Sequence, residues 1–182
     1  IGPKLSRVVY LSTTGVYGSA AAVNENTPPK PETERQKLRV EAEQAMLNGH
    51  WKSLILRPAA IYGPGRGVQA ALPSGKYQLN GDGSNFVSRI HVEDLAAISA
   101  AALLSNLTGA YPVADEEPCS SREIAEFCAE LLGLGPVESV TSDELSETRR
   151  SDRRVGGRAI RKFLGVTLQY PSYRQGIPAS LD

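Results

Sequence analysis

The stretch RVVYLSTTGVYGSA, residues 7–20, decides the fold. Val8, Val9, Tyr10 and Leu11 are apolar in unbroken succession, and hydroxyls follow at Ser12, Thr13 and Thr14. Continuous rather than alternating apolarity describes a strand covered on both faces, as in a parallel sheet. The segment from Leu54 to Ile61 repeats that character. A helix is expected between them, over 33–48. Leu38, Ala42, Ala45 and Met46 stand at helical spacing, Thr33 and Gln36 form a capping box, and Asn48-Gly49 marks the end. Strand, helix, strand is the parallel crossover unit.

Beyond Tyr62 the sequence turns through Gly63-Pro64-Gly65-Arg66-Gly67 into a Gly-rich region with little periodicity, as far as Asn85. A helix follows over 92–105, with Leu95, Ile98 and Ala102 on one face and acidic Glu93 and Asp94 at its dipole-favoured start. Residues 110–114 read as a short strand. A third helix starts at the cap Ser120, with Glu123 completing the box and Ile124, Phe127, Cys128 and Leu131 as the apolar stripe, and stops at Gly133. The polar stretch 138–154 reads as a surface segment or link, and a last short helix over 158–164 ends at Gly165.

The 182 residues are 41% hydrophobic, enough for one domain with a core or for part of a larger one. Twenty basic and twenty acidic residues cancel, so no overall field favours nucleic acid or an anionic membrane. No apolar run approaches the roughly 20 residues a membrane helix needs, and residues 1–6 lack a signal-peptide pattern. A cytoplasmic protein is expected. Cys119 and Cys128 fit no metal-ligand spacing and read as reduced thiols.

Four segments in order, VVYLSTTGVYG (8–18), LRPAAIYGPG (56–65), SRIHVEDLA (88–96) and YPVADEEP (111–118), resemble the extended and atypical short-chain dehydrogenase/reductases, the NAD(P)-dependent epimerase/dehydratase family. LGVTLQYPSYRQGI (164–177) echoes that family's closing helix and tail. The resemblance implies an α/β fold: a partial Rossmann-like doubly wound parallel sheet with a small carboxy-terminal substrate-binding subdomain. Residues 1–62 would form the second half of the Rossmann-like domain. Residues 63–182 would form the substrate side, interleaved with the last Rossmann helix and strand at about 91–115. It also implies a chain that starts after the family's Gly-rich cofactor turn. Gly63-Pro64-Gly65-Arg66-Gly67 does not replace that turn, because it lacks the third glycine at the required offset and Pro64 has no N–H to offer.

By resemblance Thr13, four residues before Tyr17, is the hydroxyl that meets the reacting substrate oxygen, a role suited to a group that donates and accepts. Capping of a strand end by Ser12, Thr13 and Thr14 is the plainer alternative. The family's acid/base is a Tyr four residues before a Lys on the helix TERQKLRVEAEQ. If Glu43 matches the family's helix glutamate, Arg35 and Arg39 hold those places; if Glu41 does, Thr33 and Lys37 do. Neither register has a tyrosine, and a guanidinium does not serve as a proton acceptor. The resemblance assigns Leu11, Ser12, Arg39, Ala59 and Tyr62 to NAD or NADP, and Gln78 and Arg89 to the substrate. Arg39 also reads as a surface charge beside Glu41 and Glu43. Ala60 stands where an Asn often meets a sugar-nucleotide phosphate. His91 precedes a helix and reads as a helix-entry residue, and His50 as a helix-end residue.

The expected function is that of the carboxy-terminal part of an atypical NAD(P)-dependent nucleotide-sugar epimerase/dehydratase-like oxidoreductase. The alternatives are a non-catalytic NAD(P)- or metabolite-binding sensor of the same fold, or an inactive fragment. Partners would be a small-molecule or nucleotide-linked substrate and a second copy in a homodimer, with no nucleic acid and no membrane.

Overall fold

The computed structural model describes residues 5–140 and 151–181. The expected crossover unit is present: β1 (Arg7–Leu11), α1 (Glu34–Leu47) and β3 (Lys52–Pro58), with a short β2 (Ala22–Val23) on the way. β1 and β3 are parallel, Val9 opposite Leu54 and Leu11 opposite Leu56. β8 (Gly109–Val113) joins the other side of β3, also parallel, so the sheet order is β1-β3-β8. The unbroken apolar run at 54–56 now has its cause: all three residues are fully buried because β3 is central and covered on both faces. Burial of each such side chain stabilises the fold by about 1.5–3 kcal/mol.

On one face, Leu54 and Leu56 pack with Leu95, Ile98 and Ala102 of α3 (Val92–Leu104) and with Ile160 of α5 (Arg158–Leu164). On the other face, Arg57 turns to α1. The Thr33–Gln36 capping box is formed. The stripe expected on this helix is not the buried one, however. Leu38 is 56% exposed, and the fully inward residues are Gln36 and Glu43. Leu38 lies two residues from Gln36, on the far side of a helix with 3.6 residues per turn, and what draws α1 to the sheet is a polar contact from Glu43.

After β3 the chain leaves the sheet through β4 (Ala60–Tyr62), which pairs in parallel with β7 (Arg89–His91). The glycine turn is an ordinary one. Gly63 and Arg66 exchange both backbone hydrogen bonds, at 2.9 and 3.0 Å, with Gly65 at φ 68° at the tip. The Gly-rich region holds a short helix that its sequence did not signal, α2 (Val68–Ala71), and then β5 (Leu79–Asn80), which pairs with β10 (Ser139–Val140). β6 (Phe86–Val87) pairs with β9 (Cys119–Ser120), and α4 (Ser121–Leu131) follows from the expected Ser120–Glu123 box. A second core gathers Tyr62, Val68, Leu79, Ile124 and Cys128 with Tyr173 and Ile177 of α6 (Tyr173–Ala179). Asp94, expected to serve the helix dipole, is buried, and its carboxylate accepts the backbone N–H groups of Gln169 and Tyr170.

Of the polar stretch 138–154, residues 141–150 lie outside the described residues. Of the rest, Glu138, Ser139, Asp152 and Arg154 are exposed as expected of a surface segment, but the segment is tied into the fold on both sides. Val140 is half-buried beside β5, Arg153 is 8% exposed, and β11 (Arg154–Val155) pairs with β2. Among the described residues no helix is long and apolar enough to cross a membrane.

Where α5 meets the sheet, Gly157 is required. A Cβ there would lie 2.3 Å from the Ala114 carbonyl oxygen and 2.5 Å from its nitrogen, both backbone atoms at the end of β8. Gly157→Ala is therefore expected to destabilise the fold by about 1–3 kcal/mol in urea unfolding, the range for overpacking. Gly135→Ala, at an open position with nothing within 4 Å, should stay within about 0.5 kcal/mol. Equal effects of the two would refute the close packing of α5 on β8.

Candidate active site

The carboxyl end of β1 is extended by one rung, Ser12 N donating to Leu56 O at 2.7 Å. Thr13 follows in extended conformation (φ −159°, ψ 152°), and its Oγ1 accepts the Gly15 N–H at 3.1 Å, capping a 3-10 turn over Thr14–Tyr17. That bond uses one lone pair and leaves the Thr13 O–H free to donate. The capping role and the proposed substrate role are therefore compatible. Ser12 Oγ is buried and has no hydrogen-bond partner among the described residues.

Two arginines hold this turn. Arg57 of β3 clasps Glu43 of α1 through two bonds, Nη2–Oε2 at 2.7 Å and Nε–Oε1 at 3.1 Å, and donates through Nη1 to Tyr17 Oη at 3.0 Å. Burial alone would pull the Arg57 guanidinium down, but its bonds to Glu43 and Tyr17 carry it above the ordinary arginine value. Burial, opposed by Arg57, pushes the Tyr17 phenol up, so it stays protonated and is no base. Arg153, arriving from the far end of the chain, donates to the carbonyls of Thr14 and Ala20 at 2.5 and 2.8 Å and to that of Gly18. Gly18 (φ 59°) has no room for a side chain, since a Cβ would lie 2.2 Å from the Lys30 carbonyl oxygen.

The other assigned residues divide between two places. Ala59, 7% exposed, packs with Val16, Tyr17 and Ala114 at the same sheet end as Thr13. Leu11, at the end of β1, is 46% exposed. Arg39 is half-buried and donates to Tyr10 Oη at 2.9 Å. It does not pair with Glu43, which is 1% exposed and committed to Arg57. Glu41 is exposed, so Glu43 is the glutamate that meets the LRP strand, and this supports the register with Arg35, itself exposed, in the tyrosine's place.

Tyr62, in contrast, belongs to the second core. It is 3% exposed, its ring stands edge-on to His91 at 5.1 Å, and its phenol is pushed up by burial and by the fields of Asp115 and Asp94. His91 is the helix-entry residue expected: Nδ1 accepts from Glu93 N at 3.3 Å, Nε2 meets Ser180 Oγ at 3.1 Å, and burial lowers its pKa and keeps it neutral. Arg89 is 6% exposed and lines a cavity of about 240 Å3 with Tyr62, Gln69, Tyr77, Ser121 and Ile124. Gln78 is half-buried beside Tyr77 and is not part of that wall.

Two polar residues here escaped the sequence reading. Gln69 lies in α2, which showed no periodicity. Asp115 follows β8, 4% exposed and close enough to Arg89 to feel its charge, but without a direct ion pair among the described residues. Burial pushes its carboxyl up to about 8 despite the lowering field of Arg89. An acidic residue directly after the apolar Val113-Ala114 was the available signal.

The family model for the NAD dependent epimerase/dehydratase family matches residues 2–113. The chain belongs to that family, whose cofactor is NAD(P). It is 30% identical to Protein YeeZ of Escherichia coli strain K12 over 171 residues, which cover 92% of this chain and 60% of that protein. Among solved structures, a functionally unknown conserved protein from Silicibacter pomeroyi DSS is similar at TM-score 0.84 and 37% identity, over 96% of this chain and 66% of the other. MoeE5, solved in complex with UDP-glucose and NAD, is similar in fold at TM-score 0.80 and 23% identity, over 97% and 64%. The chain spans 50 to 60% of the length of the curated relatives it matches.

Asp115 gives the site a pH signature. With a native pKa of about 8 against an ordinary 3.8, the folded state keeps a proton that the unfolded state loses. Its contribution to stability is therefore fully present below pH 3.8 and is lost progressively up to pH 8. The stability of Asp115→Asn relative to the parent should rise between pH 5 and 8 and level off above, in urea unfolding across that range. A difference independent of pH would contradict the burial of this carboxyl.

Proposed function

We propose that this chain is the carboxy-terminal, substrate-side part of an atypical NAD(P)-dependent oxidoreductase of the epimerase/dehydratase type, in which Thr13 hydrogen-bonds the reacting oxygen of the substrate. The observation that carries the reading is the Thr13 hydroxyl, held at the carboxyl edge of a parallel sheet with its proton unused. Open α/β sheets bind ligands beyond that edge. The unpartnered buried Ser12 hydroxyl and the small, buried Ala59 at the same edge fit a planar polar group such as nicotinamide. Leu11, Ser12 and Ala59 would border the nicotinamide, and Arg39 would lie toward the ribose. When bound, the cofactor supplies the hydride acceptor or donor.

The residues of this chain orient and polarise. Thr13 donates to the oxygen as charge develops on it, and Arg57 and Arg153 keep the turn from shifting. Neither Tyr17 nor Tyr62 takes a proton, since burial holds both protonated. A substrate that is small or nucleotide-linked suits this reading, in line with the UDP-glucose held by MoeE5. A second reading, a sensor that binds NAD(P) or a metabolite without turnover, is favoured by Arg35 in the tyrosine's place.

Cofactor titrations followed by nicotinamide fluorescence and thermal unfolding, on residues 1–182 and on a version extended at its amino end, separate the two readings. Binding and hydride transfer are expected in the extended protein. Thr13→Ala should lower turnover by about a hundredfold, the loss of one transition-state donor, with cofactor affinity unchanged. Undiminished turnover in Thr13→Ala would defeat the proposal, and binding with no turnover would favour the sensor.

A further inference from the structure

The cavity lined by Arg89 lies between β4, α2, β7 and α4, and its chemistry is more specific than the family's. Most of its wall is apolar, including Ile61, Val68 and Ile124. Its volume of about 240 Å3 falls below the ~300–1,000 Å3 of ordinary ligand pockets. Only part of a nucleoside diphosphate carrying a sugar would fit inside it. Ala60, which occupies the place of a phosphate-binding Asn, is part of the wall and offers no polar side-chain group.

Arg89 and Gln69 are two buried polar side chains of this wall, and they differ in what they leave open. Arg89 engages only Nη1, with the Val87 carbonyl at 2.6 Å and Cys119 Sγ at 3.2 Å, and neither partner carries a negative charge. The Cys119 thiol is pushed up to about 11 by burial, and Asp115, at about 8, is largely protonated at neutral pH. A buried guanidinium without a counter-charge is costly, and a bound anion removes that cost. Gln69 is 2% exposed, and its Nε2 donates to the carbonyls of Gly63 and Arg66 at 3.0 and 3.1 Å, which fixes the orientation of the amide. Its Oε1 has no partner among the described residues. That oxygen lies against Gly67, out of reach of solvent, and Gln69 serves to hold the Gly63–Arg66 turn.

We propose that this cavity binds a small, largely apolar carboxylic acid, its carboxylate on the free N–H groups of Arg89. The inference rests on the reading of this face as the substrate side and names the substrate class. A charge-assisted pair at Arg89 supplies orientation, and the apolar wall supplies most of the affinity.

Isothermal titration of residues 1–182 with 3-(4-hydroxyphenyl)propionate, with its primary amide and with UDP-glucose tests this without any cofactor. The acid should bind. The amide should bind at least about tenfold more weakly, as the loss of a hydrogen bond between charged groups implies, and UDP-glucose should not displace the acid. Arg89→Lys should weaken binding of the acid. Because Arg89 is buried, Ala71→Phe serves as a second variant: it fills the cavity from a half-exposed position and should abolish binding with thermal unfolding still cooperative. Equal binding of acid and amide, displacement by UDP-glucose, full binding by Ala71→Phe, or no binding of the acid would each overturn the inference. Acid binding by residues 1–182, with no hydride transfer by the amino-terminally extended protein loaded with NAD(P), would defeat the oxidoreductase reading alone. Thr13-dependent turnover of a nucleotide sugar without acid binding would defeat this inference alone.

Discussion

The buried pair Arg57–Glu43 is the interaction on which the rest of this structure depends. Each side chain is almost wholly out of water, which costs several kcal/mol per ion unless geometry and hydrogen bonds offset it. The fork of the guanidinium on the carboxylate, with the third bond to Tyr17, provides that offset and joins three elements at one point: the central strand, the crossover helix and the turn that carries Thr13. The guanidinium also lies 5.0 Å from the centre of the Tyr17 ring, adding an attraction that desolvation strengthens. A helix fixed in this way need not present an apolar stripe, and α1 leaves Leu38 in water.

The site follows from that constraint. Tyr17 is held by Arg57, so the 3-10 turn has a fixed floor, and Arg153 binds the carbonyls of Thr14 in the turn and of Gly18 and Ala20 just beyond it. Between these clamps, Thr13 keeps one lone pair on the Gly15 N–H. The second core, built around Tyr62, His91 and α4, forms the cavity of Arg89 and Gln69 beside the sheet end without sharing its side chains. A positioned hydroxyl at one place and a shaped cavity around Arg89 at the other are held by separate sets of contacts.

Local patterns were legible in the sequence. The parallel strands declared themselves by unbroken apolarity at 8–11 and 54–56, both capping boxes by their three-residue spacing, and the end of α5 by Gly165. These signals act over a few residues, so a single chain displays them. What was not legible depends on partners far away in sequence. Glu43 and Arg57 are fourteen residues apart, and Arg153 reaches Gly18 across 135. No periodicity marks Glu43 as interior, since a carboxylate goes inside only when its counter-ion is known. Likewise the polar stretch around Arg153 read as surface because its composition is that of a surface, and the carbonyls that take the arginine inside lie near the opposite end of the chain. Gln69 and Asp115 were hidden for the same reason: Gln69 meets the turn at Gly63 and Arg66, and Asp115 the field of Arg89, only after β4, α2 and β7 have packed.

Amide hydrogen exchange on Glu43→Gln against the parent tests the central claim most directly. If the ion pair holds the Thr13 turn, exchange should quicken at the Gly15 and Gly18 amides and along α1. Protection of β3 and β8, which rests on their own ladder and on the α3 face, should be retained. Unchanged exchange at Gly15 and Gly18 in a variant whose α1 amides have loosened would show that the turn stands without the clamp, and would contradict the account.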